Sequence, residues 1–470
     1  MSEPMPDTAV DNPVVAALIE DLGAAQVLLG DDVHNRAAGI WRKQGIQAGI
    51  LVRPRNTDEV SRAMQICHAH DQSVIAHGGL TGLVKSADAA PGDVIISLER
   101  MQEIEQINPL ERTAVVESGV VLQTLQEAVA EHGLMFPLDL GGRGSCTIGG
   151  NISTNAGGNR VIRYGMTRDM VLGLEAVLAD GTVVSSMNQM IKNNAGYDLK
   201  QLFIGTEGTL GIVTRAVLRC RAEVDDQPTL LAAVDTFEKL AHFLKHVDQG
   251  LHGCLSAFEV MWNNYYTLVT TEPASNPAPL PQDYPYYVLV EAMGADQALV
   301  EAVLGEALEA ELIADAVIAQ SGAQRQQIWA IRDDVEQTLR HAPTFVFDVS
   351  LRIPFMEAYV DLVNAGLNEA FANVANFTFG HMGDGNLHFV IGVGDGSPAA
   401  RETVERCVYA PLADIGGSVS AEHGVGLEKK PYLDLSRSAA EIDLMRVLKN
   451  ALDPKGLLNP GKIFDVQGAS

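Results

Sequence analysis

The stretch Pro137-Leu-Asp-Leu-Gly-Gly-Arg-Gly-Ser-Cys-Thr-Ile-Gly-Gly-Asn-Ile-Ser-Thr-Asn-Ala-Gly-Gly158 decides the fold. Small and hydroxyl-bearing residues alternate through all of it, so it cannot build a packed core by itself. It suits a loop laid against a large rigid ligand, because backbone without Cβ can approach such a ligand closely. Two shorter segments share the character. Val74-Ile-Ala-His-Gly-Gly-Leu-Thr-Gly-Leu-Val84 follows a short strand, and Gly205-Thr-Glu-Gly-Thr-Leu-Gly-Ile-Val213 runs from loop into strand. One such cluster is ordinarily a tight turn. Three of them between residues 74 and 213 point to a dinucleotide site, where inward-turned N–H groups meet phosphate. No G-x-G-x-x-G and no G-x-x-x-x-G-K-[ST] occurs, so the motifs are neither those of a Rossmann binder nor those of a P-loop NTPase.

The rest of the chain bounds the reading. Its 470 residues are 47% hydrophobic and 20% charged, which excludes disorder, collagen and coiled coil. Sixty acidic residues against 33 basic ones give a net charge of -27, a field that repels nucleic acid and anionic lipid. An anionic substrate therefore needs a local cluster of positive charge. Cys67, Cys146, Cys220, Cys254 and Cys407 form no C-x-x-C and read as free thiols of a reducing cytoplasm. The start, MSEPMPDTAVDNP, is acidic and proline-bearing, reads as disordered and has no signal-peptide pattern. No run reaches the length of a membrane span. The expectation is a soluble, cytoplasmic protein.

Periodicity gives the organisation. VVAALIEDLGAAQVLL reads as a helix within an N-terminal segment, 1–44. Residues 45–222 mix β-branched runs (VIISL, TAVVES, GIVTRAVL) with helical patterns (DEVSRAMQICHAH, LQTLQEAVAEHG) and hold the glycine loops. Residues 221–345 lose the glycine clusters, and a segment 223–415 follows. Helical stretches such as ADQALVEAVLGEALEAELIADAVIA alternate with strand-like YYVLVEAMG, TFVFDVSLRIP, FTFGH and LHFVIGVG, which predicts an antiparallel sheet flanked by helices. TTEPASNPAPLPQDYP is a proline-rich loop that covers or flanks something. The tail, 416–470, carries motifs again and ends in a helix followed by GLLNPGKIF. The fold class is α+β.

Gly380-His-Met-Gly-Asp-Gly-Asn-Leu-His388 lies between two strand-like runs, and Asp384-Gly385 is a turn dipeptide. A tight GDGN turn pairs Met382 with Leu387 and His381 with His388. Cross-strand partners share a face about 5 Å apart, which is metal-ligand spacing for two imidazoles. The bland reading is a pair of satisfied core histidines. Ser420-Ala-Glu-His-Gly-Val-Gly426 adds Glu422 and His423 side by side, either the source of a third ligand or an acidic helix-cap or surface pair.

The long strip 137–158, followed by RYG, LGLEAVLADGT and NNAGYDLKQLFIGTEGTLGIVT, resembles the vanillyl-alcohol oxidase / p-cresol methylhydroxylase class of FAD enzymes. Within it the chain is most similar to the FAD-linked D-2-hydroxyacid dehydrogenases, on the D-2-hydroxyglutarate and D-lactate dehydrogenase branch, over about residues 45–465. The resemblance implies a two-lobed FAD-binding domain at 45–222, a substrate domain at 223–415 and a C-terminal segment, 416–470, returning to the flavin. It implies pyrophosphate binding at Gly78, Gly79, Thr81 and Gly82, with Leu83 beside them. Gly144, Ser145, Thr147, Gly150, Ser153, Asn155, Ala156 and Gly157 would line the flavin, with Pro137, Asp139, Gly165, Glu207, Gly211, Ile212 and Asn459 nearby. Some relatives attach FAD through a histidine in the first loop. Here that position is Leu80, so FAD is expected to be noncovalent, while His77 stands where relatives usually carry arginine.

By the same resemblance His381, His388 and Glu422 hold a divalent metal, and His423 is the base. Two histidines and a carboxylate suit zinc, with manganese or iron(II) also compatible. Oxidising a 2-hydroxy acid removes the hydroxyl proton and sends the Cα hydride to the flavin. A metal lowers the hydroxyl pKa and a neutral histidine takes the proton. Arg332 is the candidate clamp for the substrate carboxylate, since guanidinium binds carboxylate bidentately, against the plain reading of an exposed helix arginine near Asp333 and Asp334. Asn386 is expected to face flavin or substrate. At the substrate tail, relatives acting on 2-hydroxyglutarate place polar or basic side chains where this chain has Val346 and Val390. Two valines would leave a second carboxylate poorly compensated, which favours D-lactate or a longer apolar 2-hydroxy acid. The expected partners are that small acid and a soluble electron acceptor such as an electron-transfer flavoprotein, with a homodimer implied by resemblance. Two other classes fit parts of the pattern: a metal-dependent hydrolase with incidental glycines, and a flavin-binding module without catalysis.

Overall fold

A computed structural model describes residues 12–40 and 42–466. Residues 1–11 of the start expected to be disordered lie outside the described residues, and its last two, Asn12 and Pro13, cap and open the first helix. The chain forms two compact units. One comprises the residues up to Ala156, Met166–Glu223 and the chain from Glu422 onward. The other comprises Gly157–Gly165 and Val224–Ala421. Among the described residues no helix is long and apolar enough to cross a membrane.

Among the described residues the first unit holds two larger sheets and two two-stranded ones, Ala37–Gly39 with Arg42–Gly45 and Leu134–Met135 with Arg221–Ala222. In one larger sheet, Val94–Ser97 pairs parallel with both Ile50–Val52 and Val74–His77, and Val27–Leu29 adds an antiparallel edge. The other larger sheet is antiparallel, in the order Val183–Ser186, Val171–Val177, Ile212–Arg219, Thr113–Glu117, Ile104–Asn108. Val60, Ala63, Met64 and Cys67 of helix Thr57–Ala69 recur at helical spacing. They pack with Val52, Val94, Ile96, Val177 and Ile212 into one core. That helix starts on Asn56, whose side chain accepts from Glu59 N. The expected N-terminal helix is shorter than VVAALIEDLGAAQVLL suggests. It spans Pro13–Leu22 and stops at Gly23, φ +91°, a conformation costly for other residues, after which Val27–Leu29 is a strand.

The second unit is a seven-stranded antiparallel sheet in the order Asp315–Ile318, Thr229–Val234, Tyr286–Ala292, Leu255–Trp262, Ala375–His381, Asn386–Gly392, Thr344–Ser350. Successive side chains alternate between faces. One face carries Met261, Tyr287, Leu289, Phe377, Phe379 and Val390 against helices Asn263–Thr270 and Gly322–Asp333. Tyr265 stacks on Phe379 and Tyr266 on Tyr287, with ring centroids 4.2 and 3.6 Å apart. Helices Phe237–Gly250, Met356–Ala370 and Pro398–Tyr409 cover the other face through Phe243–Phe258, Tyr359–Phe389 and Phe347–Tyr409. The stretch ADQALVEAVLGEALEAELIADAVIA is not one helix. Gln297–Glu309 is helical, Glu311 turns the chain at φ +53°, and Asp315–Ile318 forms the edge strand. The helical pattern carried through because alanine favours helix until the sheet edge offers a ladder.

Candidate active site

In the first unit, the strand Val74–His77 leads into the first glycine loop. His77 is buried, and burial pushes it down to about 4, so its imidazole is neutral. Its Nε2 donates to Ala87 O at 2.8 Å and closes the loop that follows. The second loop packs directly on the first. A Cβ at Gly79 would lie 2.1 Å from Ser145 O, and one at Gly78 would lie 2.7 Å from Thr147 Oγ1. Leu80 takes φ +54°. Among the described residues, no hydrogen bond uses the backbone N–H of Gly79, Leu80, Thr81 or Gly82. Backbone donors in series on a glycine loop, half-buried at Gly79, Leu80 and Thr81 and exposed at Gly82, are the chemistry that receives a pyrophosphate, so these residues fit the dinucleotide. Beyond them, Thr147 accepts from Gly150 N at the start of helix Ile148–Thr154, and Asn155 ends that helix at φ +51°. Asp139 pairs with Arg143, Leu83 is exposed, and Ile212 belongs to the core cluster.

The third loop is fastened to the C-terminal segment. Asn459 Oδ1 accepts from Ala76 N at 2.9 Å, and its Nδ2 donates to Glu207 O. The Glu207 carboxylate accepts from Val425 N at 2.6 Å and Gly426 N at 2.9 Å. Burial pushes its pKa up against the pull of those two N–H groups. Leu427 N donates to Val84 O at 2.9 Å. Glu422 and His423 immediately precede these ties, with His423 Nε2 3.6 Å from Glu422 Oε1. Glu207 thus ties the loop that carries Glu422 and His423 to the third glycine segment. Gly157 and Gly165 belong to the second unit. There Arg160, between them in sequence, pairs at 3.2 Å with buried Glu291, which also accepts from Trp329 Nε1 and Ser256 Oγ.

In the second unit, His381 and His388 come together by a different register from the expected one. His388 pairs across the strands with Phe379, and His381 pairs with Glu259 on the other side. The link is a 3-10 turn, Met382–Asp384, closed by Gly385 at φ +90°. Gly380 lies so close to the returning strand that a Cβ there would sit 2.6 Å from Asn386 O. His381 is therefore diagonal to His388 rather than opposite it, and diagonal neighbours remain within reach. Their ring centroids are 5.1 Å apart, edge to face.

The face that bears them also carries a buried polar row. Glu259 Oε1 accepts from His381 Nδ1 at 2.7 Å, and Oε2 accepts from Arg332 Nε at 2.8 Å. Burial pushes the Glu259 carboxyl up, and its contacts with His381 and the Arg332 guanidinium outweigh that and hold it below its usual range. Arg332 is not the exposed arginine of the plain reading. It is 5% exposed, and its guanidinium sits 5.0 Å over the Phe379 ring. Tyr265 OH donates to its carbonyl at 2.8 Å. Asp348 stands directly across from His388, with ligand atoms within 4.8 Å, and its Oδ2 accepts from Ala421 N at 3.1 Å. The next residue along the chain is Glu422. Asn386 pairs across from Ser350, and its buried Oδ1 has no hydrogen-bond partner among the described residues. Val346 and Val390 are direct cross-strand partners on the same face. Val390 is buried, whereas Val346, on the edge strand, is 54% exposed. Asp348, Glu259 and Glu291 were missed from sequence. The available signal was a lone acid inside an apolar strand, as in LSAFEVMW and YYVLVEA.

Imidazoles, carboxylates and a caged guanidinium on one sheet can coordinate a cation and bind a carboxylate, and the first unit offers the glycine cradle. Two family descriptions match: an FAD binding domain over residues 48–186, and the C-terminal domain of FAD linked oxidases over 225–463. The chain is 39% identical over 427 residues to the D-2-hydroxyglutarate dehydrogenase of Xanthomonas citri pv. viticola, covering 89% of this chain and 90% of that one. It is 36% identical over 463 residues to that of Stutzerimonas stutzeri, covering 95% and 99%. A crystal structure of p-cresol methylhydroxylase with substrate bound superposes with a TM-score of 0.78 at 15% identity over the full length of both chains, which bears on the fold alone. A hydrolase with incidental glycines is set aside by these matches. With both FAD domains present and such identity across nearly the whole length of named dehydrogenases, the chain belongs to the FAD-linked oxidase family of FAD-dependent oxidoreductases.

Proposed function

We propose that the protein oxidises a D-2-hydroxy acid to the 2-oxo acid with noncovalently bound FAD and a divalent metal, zinc by its donor set. The observation that carries this is the buried row on one sheet face: Arg332 held by Glu259, beside His381, His388, Asp348 and Asn386. FAD, when bound, supplies the acceptor for the hydride from Cα, and the metal supplies Lewis acidity toward the hydroxyl. The chain's own residues do the rest. The Arg332 guanidinium binds the substrate carboxylate and fixes its plane. His381, His388 and Glu422 hold the metal, with Asp348 as a further carboxylate beside His388. His423 takes the hydroxyl proton on its imidazole. Asn386 uses its otherwise unspent Oδ1 toward substrate or flavin. Holding hydroxyl and carboxylate at fixed points leaves one enantiomer able to present its hydrogen correctly, the D form by family.

Residues 45–222 serve as the FAD domain and 223–415 as the substrate domain, with 416–470 bringing Glu422 and His423. The Val346–Val390 pair favours a substrate with a short or apolar tail, such as D-lactate, over one with a second carboxylate. Electrons pass to a soluble acceptor such as an electron-transfer flavoprotein. The test is His423→Ala in stopped-flow. FAD and metal content should stay intact while flavin reduction slows about 10²–10⁴-fold. The loss should be equal in kcat and kcat/KM, because the proton moves only in the transition state. Reduction at the wild-type rate would remove His423 from the chemistry.

A further inference from the structure

Glu259 is the only charged residue in the strand Leu255–Trp262, and it is fully buried. Its two oxygens are spent on two different partners, His381 Nδ1 at 2.7 Å and Arg332 Nε at 2.8 Å. Register and packing set this arrangement. Glu259 lies directly across from His381, and Arg332 arrives from helix Gly322–Asp333 over Phe379, two residues before His381 on the same face. Two consequences follow from donor and acceptor chemistry. An ionised carboxylate only accepts, so His381 must carry its proton on Nδ1, which leaves Nε2 as the ligand nitrogen. The same carboxylate occupies Nε of the guanidinium, so a substrate carboxylate must be met by the Nη edge. A neutral or shorter side chain could satisfy one of these demands but not both.

We propose that Glu259 is a positioning residue that couples the two halves of the site, setting the ligand tautomer of His381 and the orientation of the Arg332 clamp with one carboxylate. This rests on the proposed function above, since it takes His381 as a ligand and Arg332 as the clamp. A merely structural buried ion pair would affect folding and leave both affinities of any folded variant unchanged. Carboxylates behind metal-bound histidines typically govern metal affinity by about 10–100-fold, and here the same loss would extend to the substrate side.

The experiment uses the full-length flavoprotein with Glu259→Gln and Glu259→Asp. Zinc affinity is read by competition with a chromophoric chelator. Oxalate, a non-oxidisable dianion resembling the 2-oxo acid, is titrated by its perturbation of the flavin spectrum. In Glu259→Gln the amide sets an N–H against one of two donors, so FAD content is retained while zinc and oxalate both bind about tenfold or more weakly. A folded Gln variant with wild-type affinity for both, or with only a lowered Tm, overturns the coupling. Should Glu259→Gln not fold, Glu259→Asp decides. It keeps the charge but is one methylene too short to span both partners, so at least one affinity must fall, and retention of both overturns the coupling. A wild-type protein that binds neither zinc nor oxalate would overturn the proposed function and the coupling together, whereas binding that is unaltered in the variants overturns the coupling alone.

Discussion

Replacing Val346 by lysine should move the substrate preference toward a second carboxylate. Val346 lies on the edge strand, 54% exposed, opposite Val390 and two residues from Asp348 on the same face. Two residues of strand separate Cα atoms by about 6–7 Å, so a lysine here reaches past the Asp348–His388 pair rather than into it. Asp348 Oδ2 already accepts from Ala421 N, which limits capture of the new ammonium. A hydrogen bond to a charged group contributes about 1.5–3 kcal/mol when shielded, and an exposed ion pair about 0.2–1. At this half-open position about 1–2 kcal/mol is expected, or about 5–30-fold in kcat/KM for D-2-hydroxyglutarate. D-Lactate has no distal carboxylate to meet, so its kcat/KM should change by less than about threefold. Lysine on an edge strand is well tolerated and an exposed substitution costs about 0.5 kcal/mol or less, so folding should not confound the assay. Steady-state kinetics with an artificial electron acceptor, on both acids, gives the ratio. An unchanged ratio in a variant with full FAD content would refute the reasoning. So would a wild-type enzyme that already prefers D-2-hydroxyglutarate to D-lactate, because two valines would then be no obstacle to a second carboxylate.

Acid precipitation should release all the yellow colour into the supernatant, since Leu80 occupies the attachment position, and colour in the pellet would show a covalent link. Prolonged chelation should abolish turnover with FAD retained, because His381, His388 and Glu422 lie outside the three glycine loops. Full activity in chelator without a near-stoichiometric divalent ion would remove the metal. His77 gives a pH signature. Its folded value is lowered from 6.5 to about 4 by burial, so the stability it supports is present above 6.5 and is lost as pH falls toward 4. The difference corresponds to roughly 3 kcal/mol. His77→Gln keeps a donor for Ala87 O without titrating, so its urea stability should decline less over that window. An identical decline would place the acid sensitivity elsewhere.

What sequence could reveal depended on how local the contacts are. The need for close backbone approach is written in the glycine loops themselves, and the approach the structure shows is of one loop to the other, Gly78 to Thr147 and Gly79 to Ser145. The approach of His381 to His388 was legible too, although the register behind it was not. A GDGN turn suggested direct pairing, and the 3-10 turn with the close approach at Gly380 shifted the partner to Phe379. Glu259 and Asp348 were hidden because their partners are distant in sequence. His381 is 122 residues from Glu259, and Ala421 is 73 from Asp348. No periodicity encodes such pairs. The burial of Arg332 was equally out of reach, since a helix arginine beside Asp333 and Asp334 reads as solvated until the sheet beneath it is known.

The most direct test is anaerobic mixing of the purified flavoprotein with the D and L enantiomers of lactate, malate and 2-hydroxyglutarate, following the oxidised flavin band. The account predicts a yellow protein bleached by D enantiomers, D-lactate foremost, and left oxidised by the L forms. A colourless protein, equal bleaching by L acids, or no bleaching by any of the six would contradict it.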